Sequence, residues 1–161
     1  MALTTAQLAT LKAAILADGT LNAFPSNSDG AYAIAALINQ TASPDYIVWK
    51  TAVDIDEIMR TGMDWTRVDN LGVGKARIWE WMGRLGTFDA SRVNIRAGID
   101  AVWVGTSADL AVRATVYTHC KRRATVFEKI LATGTGSDAS PATMGVEGPV
   151  SYQDVEAARN S

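Results

Sequence analysis

Apolar positions recur at three- and four-residue spacing along most of this chain, the period of helices packed on one side. Thr4 with Gln7 forms a capping box, and Leu8, Leu11 and Ile15 then share a face. Asp18-Gly19 closes that helix, with Gly19 expected at positive φ. A second helix follows the capping cluster Asn27-Ser28-Asp29 and presents Tyr32, Ile34, Leu37 and Ile38, before Thr41 to Pro44 breaks the pattern. Asp54 opens a short helix through a box with Glu57, carries Ile55, Ile58 and Met59 inward, and ends at Gly62. Gly72 to Leu85 reads as a helix with Ile78, Trp81, Met82 and Leu85 inward, and Asp89 caps another that runs to about Val104. Thr106-Ser107 caps the longest, to about Ala132, with Leu110, Ala114, Tyr117, Cys120, Ala124, Phe127 and Leu131 as its stripe and Gly134 as its C-terminal cap. Ser151 caps a last short helix, with Asp154 in its first turn.

Two stretches depart from this period. Tyr46 to Val53 is rich in β-branched and aromatic residues and reads as one short strand or an extended connector, with Met144 to Val150 as a candidate partner. Thr133 to Tyr152 holds four glycines, two prolines and no large apolar residue before Met144. Such a segment buries too little surface alone to offset the entropy of ordering it, which predicts an arm that orders against a neighbouring molecule. The expected architecture is all-α: a bundle of about six helices over residues 1–132, then a long extended C-terminal arm and short terminal helix over 133–161. It leaves room for one short β-hairpin or strand pair.

Composition narrows the class without naming a function. At 161 residues, 48% hydrophobic and 20% charged, the chain fits one soluble globular domain. Its longest apolar runs, such as Ala31 to Ile38, are too short to span a bilayer, and the N-terminus lacks the pattern of a signal peptide. A single cysteine, Cys120, excludes an intramolecular disulfide framework and fits a reducing cytoplasm. The net charge of −2 conceals a division: residues 67–132 carry eleven basic and six acidic side chains, whereas both flanks are acidic. Opposite-sign surfaces guide subunit association, and a basic middle also suits a polyanion.

No catalytic constellation emerges. His119 and Cys120 are adjacent, so on a helix they point about 100° apart and make a poor nucleophile pair. Gly72-Val-Gly-Lys75 lacks the glycine spacing and the hydroxyl of a phosphate loop, and Thr133 to Gly136 offers a lone G-x-G. Asp54, Asp56 and Glu57 read as first-turn acids rather than a cation site. No metal or cofactor is expected. Lys121, Arg122 and Arg123, with Arg113 and Lys129, form a basic face suited to solvent, to phosphate or to an acidic neighbouring subunit. Among five tryptophans, Trp79 and Trp81 are two apart and cannot both face one helix core; Trp79 is the candidate interface anchor. Met144, Val146, Glu147, Pro149, Val150 and Tyr152 are the candidate partner-binding residues of the arm.

Several long phrases carry a resemblance: LTTAQLATLKAAILAD from Leu3, SDGAYAIAALIN from Ser28, VDNLGVGKARIWEWM from Val68, the run from Ile95 to Thr125, and the run from Ala132 to Arg159. Together they cover nearly the whole chain, which resembles the small proteins encoded in the structural-gene regions of tailed bacteriophages and prophages. Among these it resembles the head-to-tail adaptors, or connectors. That resemblance implies a non-enzymatic protein of the virion neck, assembled in the host cytoplasm into a ring, commonly twelvefold, beneath the portal. Its implied partners are its own copies, the portal protein and tail or nozzle proteins, with packaged DNA passing through the channel without sequence-specific binding. A tail-completion or other tail structural protein is the alternative, and a helical nucleic-acid-binding regulator using Lys121 to Arg123 is a third.

Overall fold

The computed structural model describes residues 2–161, in which helices take up 55% of the chain. The helices are α1 (Thr5–Ala17), α2 (Gly19–Asn22), α3 (Ser28–Ile38), α4 (Ile55–Arg60), α5 (Trp65–Asp69), α6 (Val73–Gly83), α7 (Val93–Val102), α8 (Ser107–His119), α9 (Val126–Leu131) and α10 (Tyr152–Asn160). The strands are β1 (Ile47–Trp49), β2 (Val53–Asp54), β3 (Thr87–Phe88) and β4 (Lys121–Arg123). β1 pairs with β4, and β2 with β3 in the register Val53 to Phe88 and Asp54 to Thr87. The mostly helical class expected from the sequence is correct. The number of elements is not: the longest helix of the sequence reading is two, α8 and α9, and α2 and α5 are further short helices.

The chain divides into two compact units, residues 1–48 with 123–161 and residues 49–122. In the first, α1 packs on α9 and α10, and α3 packs on α9 and α10. Leu11, Ile15, Ile34, Ile38, Phe127 and Val155 form its core. The capping box of Thr4 and Gln7 starts α1 as the sequence predicts, and Asn27 caps α3 by accepting from the Gly30 N–H at 2.9 Å. Gly30 allows close backbone approach: an added Cβ would lie 2.0 Å from the Pro25 carbonyl oxygen. Gly19 does not take positive φ; Asp18 caps α2 instead, and Gly19 is its first residue.

The second unit builds its core from Val53, Ile58, Phe88, Ile99, Val102, Trp103, Val112, Val116 and Cys120. Here α6 packs on α7 and α4 on α8. Arg67 donates to the Asp109 carboxylate at 2.5 and 3.2 Å, and the Thr106 hydroxyl donates to it at 2.8 Å, which ties α5 to the start of α8. The Arg67 guanidinium and Thr106 hold the Asp109 carboxyl down at about 2.

Two expectations fail. The longest helix does not run to Ala132. It ends at His119, the chain extends through β4, and a new capping box of Thr125 with Glu128 starts α9. The expected stripe breaks with it: Leu110 is exposed, and Val112 and Val116 take the buried positions of α8.

The long extended C-terminal arm is also absent. Thr133 and Thr143 exchange backbone hydrogen bonds of 2.8 and 2.9 Å, closing residues 133–143 into a loop. The Ala142 N–H donates to the Ile47 carbonyl at 2.9 Å, and the Ile47 N–H to the Gly136 carbonyl at 2.7 Å. Ala142, Val146 and Val150 are buried in the first unit. The strand partner foreseen for Tyr46 to Val53 in Met144 to Val150 is β4, with one parallel bridge from Val48 to Ala142 just before that stretch.

Candidate interaction surface

The residues that sequence reasoning offered to a partner are largely used inside the first unit. Val146 and Val150 join the core of α1, α3, α9 and α10, and Met144 packs against the cluster of Val48, Ala124 and Ala142. Polar side chains elsewhere in the unit satisfy the backbone here. The Asn39 amide donates to the Val150 carbonyl and accepts from the Val150 N–H, both at 2.9 Å. The Glu128 side chain, in a residue 1% exposed, accepts from the N–H groups of Thr125 at 2.9 Å and Gly148 at 3.0 Å. Tyr152 stacks on Tyr32 with ring centroids 3.8 Å apart. Glu147 and Pro149 are exposed.

The residues of the expected basic face lie on three elements. Lys121, Arg122 and Arg123 lie on β4, Arg113 on α8 and Lys129 on α9. Arg123 pairs with Asp45, Arg113 lies 3.4 Å from Asp100, and Lys129 sits 5.7 Å from the centre of the Tyr46 ring. Lys121 and Arg122 also have interactions within the chain.

The chemically reactive side chains have structural surroundings. Cys120 is fully buried, and burial pushes its thiol up to about 12. The His119 Nε2 lies 3.2 Å from the Thr61 carbonyl oxygen at the end of α4, and its Nδ1 lies 3.6 Å from Glu57. Asp54 caps α4, and Asp56 pairs with Arg60 at 2.9 Å. Gly72 is the N-cap of α6, and Lys75 donates to the Val104 carbonyl at 2.8 Å. Among the described residues no group of three or more His, Cys, Asp or Glu side chains is placed to hold a metal ion. No described helix is long and apolar enough to cross a membrane.

The tryptophans of α6 exchange the places expected of them. Trp79 is 6% exposed and meets Trp103 edge-on, with centroids 5.3 Å apart and planes at 77°. Trp81 is 61% exposed. The buried face of α6 is set by Trp79 and Met82, three residues apart, so Trp81 turns away from it. Val73, Arg77, Trp81 and Leu85 follow at four-residue steps on the outer face, all exposed. Arg77 has no ion-pair partner among the described residues. Val73 and Trp81 on α6 and Leu85 just past its end are therefore three exposed apolar side chains at four-residue spacing. Trp65, Val93, Val104 and Leu110 add further exposed apolar side chains in that unit. Spacing alone could have found the stripe, because the four-residue series from Val73 to Leu85 is visible in the sequence; what hid it was assigning Trp81 to the core.

No family model, no curated protein and no solved structure matches the chain.

Proposed function

We propose that this protein is a non-enzymatic structural subunit of a tailed-phage neck, a head-to-tail adaptor that forms a ring beneath the portal and extends the DNA channel. The observation that carries the proposal is the exposed outer face of α6, where Val73, Trp81 and Leu85 flank the unpaired Arg77. A cluster of large exposed apolar side chains, such as Val73 and Trp81 on α6 with Leu85 just past its end, is a feature of surfaces that another protein covers. Tryptophan and arginine are also the residue types that dominate protein interfaces. The likeness of long phrases of the chain to phage structural proteins supplies the setting. A twelvefold ring is carried over from that likeness, as are the portal and tail partners. The role once given to the C-terminal arm passes to α6, because the arm is folded into the first unit.

The alternative of a nucleic-acid-binding regulator would use Lys121 to Arg123, each of which has an interaction within the chain, Arg123 with Asp45. The test is direct. Purified protein is mixed with the portal assembly encoded in the same structural-gene region and examined by sedimentation and electron microscopy. The proposal expects the protein to move with the portal and to add a ring at its tail-facing end. A portal that sediments without it refutes the adaptor role. A portal gene upstream and tail genes downstream would agree with the proposal.

A further inference from the structure

The four tyrosines of the chain differ in what their rings meet. The Tyr46 hydroxyl donates to the Gly134 carbonyl at 2.8 Å, and the Tyr117 hydroxyl to the Asp100 carboxylate at 2.9 Å. Tyr32 on α3 and Tyr152 at the start of α10 face each other instead, with ring centroids 3.8 Å apart and planes 21° from parallel. Aromatic pairs left to their own attraction prefer offset or edge-on arrangements, with centroids about 4.5–7 Å apart. The frame around the two rings holds them closer than that. α3 packs along α10. Near one end of the pair Asn39 grips the Val150 backbone through two bonds of 2.9 Å, and toward the other the Ser28 hydroxyl donates to the Glu156 carboxylate at 3.3 Å. Tyr32 is 55% exposed, so a reagent in solution reaches it. The Tyr152 side chain raises the Tyr32 phenol from its ordinary 10.0, through a hydrogen bond first and then with burial. Stacked rings whose hydroxyls meet also bring together the ring carbons that flank those hydroxyls.

We propose that Tyr32 and Tyr152 form a modification site, at which a one-electron oxidant of the peroxidase class joins the two rings by a carbon–carbon bond and so locks α10 to α3. Each phenol gives up one electron and one proton, and together these reduce one hydrogen peroxide to two waters. The two phenoxyl radicals couple between carbons ortho to their oxygens. The hydrogen on each coupled carbon then moves to its own oxygen, which restores both rings. The protein loses two hydrogens and no heavy atom. Groups already held in contact react with each other far more readily than groups on separate molecules, so the bond forms within one chain. It closes the chain between positions 32 and 152, constraining the unfolded state as a disulfide does. It also fastens the segment before α10, whose Val146 and Val150 belong to the core of the first unit. The site goes beyond the adaptor role and does not depend on it.

The full-length protein tests this. It is treated with hydrogen peroxide and a haem peroxidase, unfolded, digested with trypsin and read by mass spectrometry and by dityrosine fluorescence. Tyr32 falls in the tryptic peptide 13–50 and Tyr152 in 130–159. The expected product is these two peptides joined and short of two hydrogens, from protein that still runs as a monomer in a denaturing gel. Fragmentation of the joined peptide from wild type should place the bond at Tyr32; a bond at Tyr46, which shares that peptide, would overturn the site without recourse to a variant. Tyr32→Phe and Tyr152→Phe should each lose the product, whereas Tyr46→Phe keeps it, with circular dichroism to check that each variant is folded. Treated wild type should unfold at higher urea than untreated, and treated Tyr32→Phe should show no such rise. Covalent dimers in place of the internal link, a joined peptide that persists in Tyr32→Phe, or an unchanged urea midpoint would each contradict the proposal.

Discussion

Asn39 and Glu128 do work in this protein that hydropathy does not reveal. Both are polar, and both hold the backbone of a segment that lacks a stabilising period of its own. Asn39→Ala strips the Val150 N–H and carbonyl of their partners, and the expected loss is about 1–3 kcal/mol in urea unfolding. Gly136 is a second control point. Its φ is +68°, and an added Cβ would come within 2.2 Å of the Tyr46 ring, so Gly136→Ala is expected to lower the unfolding midpoint markedly. The α6 tryptophans give a paired comparison. Trp79→Ala empties a packed site and should cost roughly 3–5 kcal/mol, while Trp81→Ala should change monomer stability by about 0.5 kcal/mol or less. Equal losses at the two positions would refute the assigned orientation of α6. Asp109 sets a pH dependence. Its folded value is depressed to about 2 from an ordinary 3.8, so its charged form stabilises the fold above the ordinary value, and that contribution is lost as the pH falls through about 2. Asp109→Asn should therefore be less stable than wild type at neutral pH, with the difference shrinking over that acid range.

At the scale of elements, the capping chemistry at Thr4 and Asn27 placed α1 and α3 from sequence, because a cap is a local signal in consecutive residues. The break at residues 120–125 was hidden for the opposite reason. Apolar residues continue at helical spacing across it, and only the box of Thr125 with Glu128 marks the restart of the helix. Thr125→Ala removes that cap and should cost about 1 kcal/mol, with the loss read in α9. The segment 133–150 was illegible because its partners lie far away in the chain: Ile47 and Asn39 on one side, Glu128 on the other. Composition told of weak local preference but not of these long-range bonds. Hydrogen exchange checks the revised view. The amides of Thr133, Ala142, Thr143, Gly148 and Val150 should be protected like those of α9, whereas a free arm would exchange them at the rate of an unfolded chain.

At the scale of the whole molecule, the fold class was legible and the outward face of α6 was not. Helical periods add up over many residues, so their sum survived errors at individual boundaries. Which tryptophan of α6 faces out depends on a rotation of the helix about its axis, and that rotation is fixed by the core that receives Trp79 and Met82, Trp103 above all, not by α6 alone. The proposed function accordingly assigns assembly to a helical face rather than to an arm that orders on contact. Rigid faces lose less conformational entropy on binding, so the proposal makes affinity depend on a few anchors such as Trp81. The most direct measurement is co-sedimentation of the wild-type protein with its portal assembly, followed by electron microscopy of the pellet. The account predicts several copies per portal, arranged as a ring. Protein left wholly in the supernatant, with the portal sedimenting bare, would contradict it.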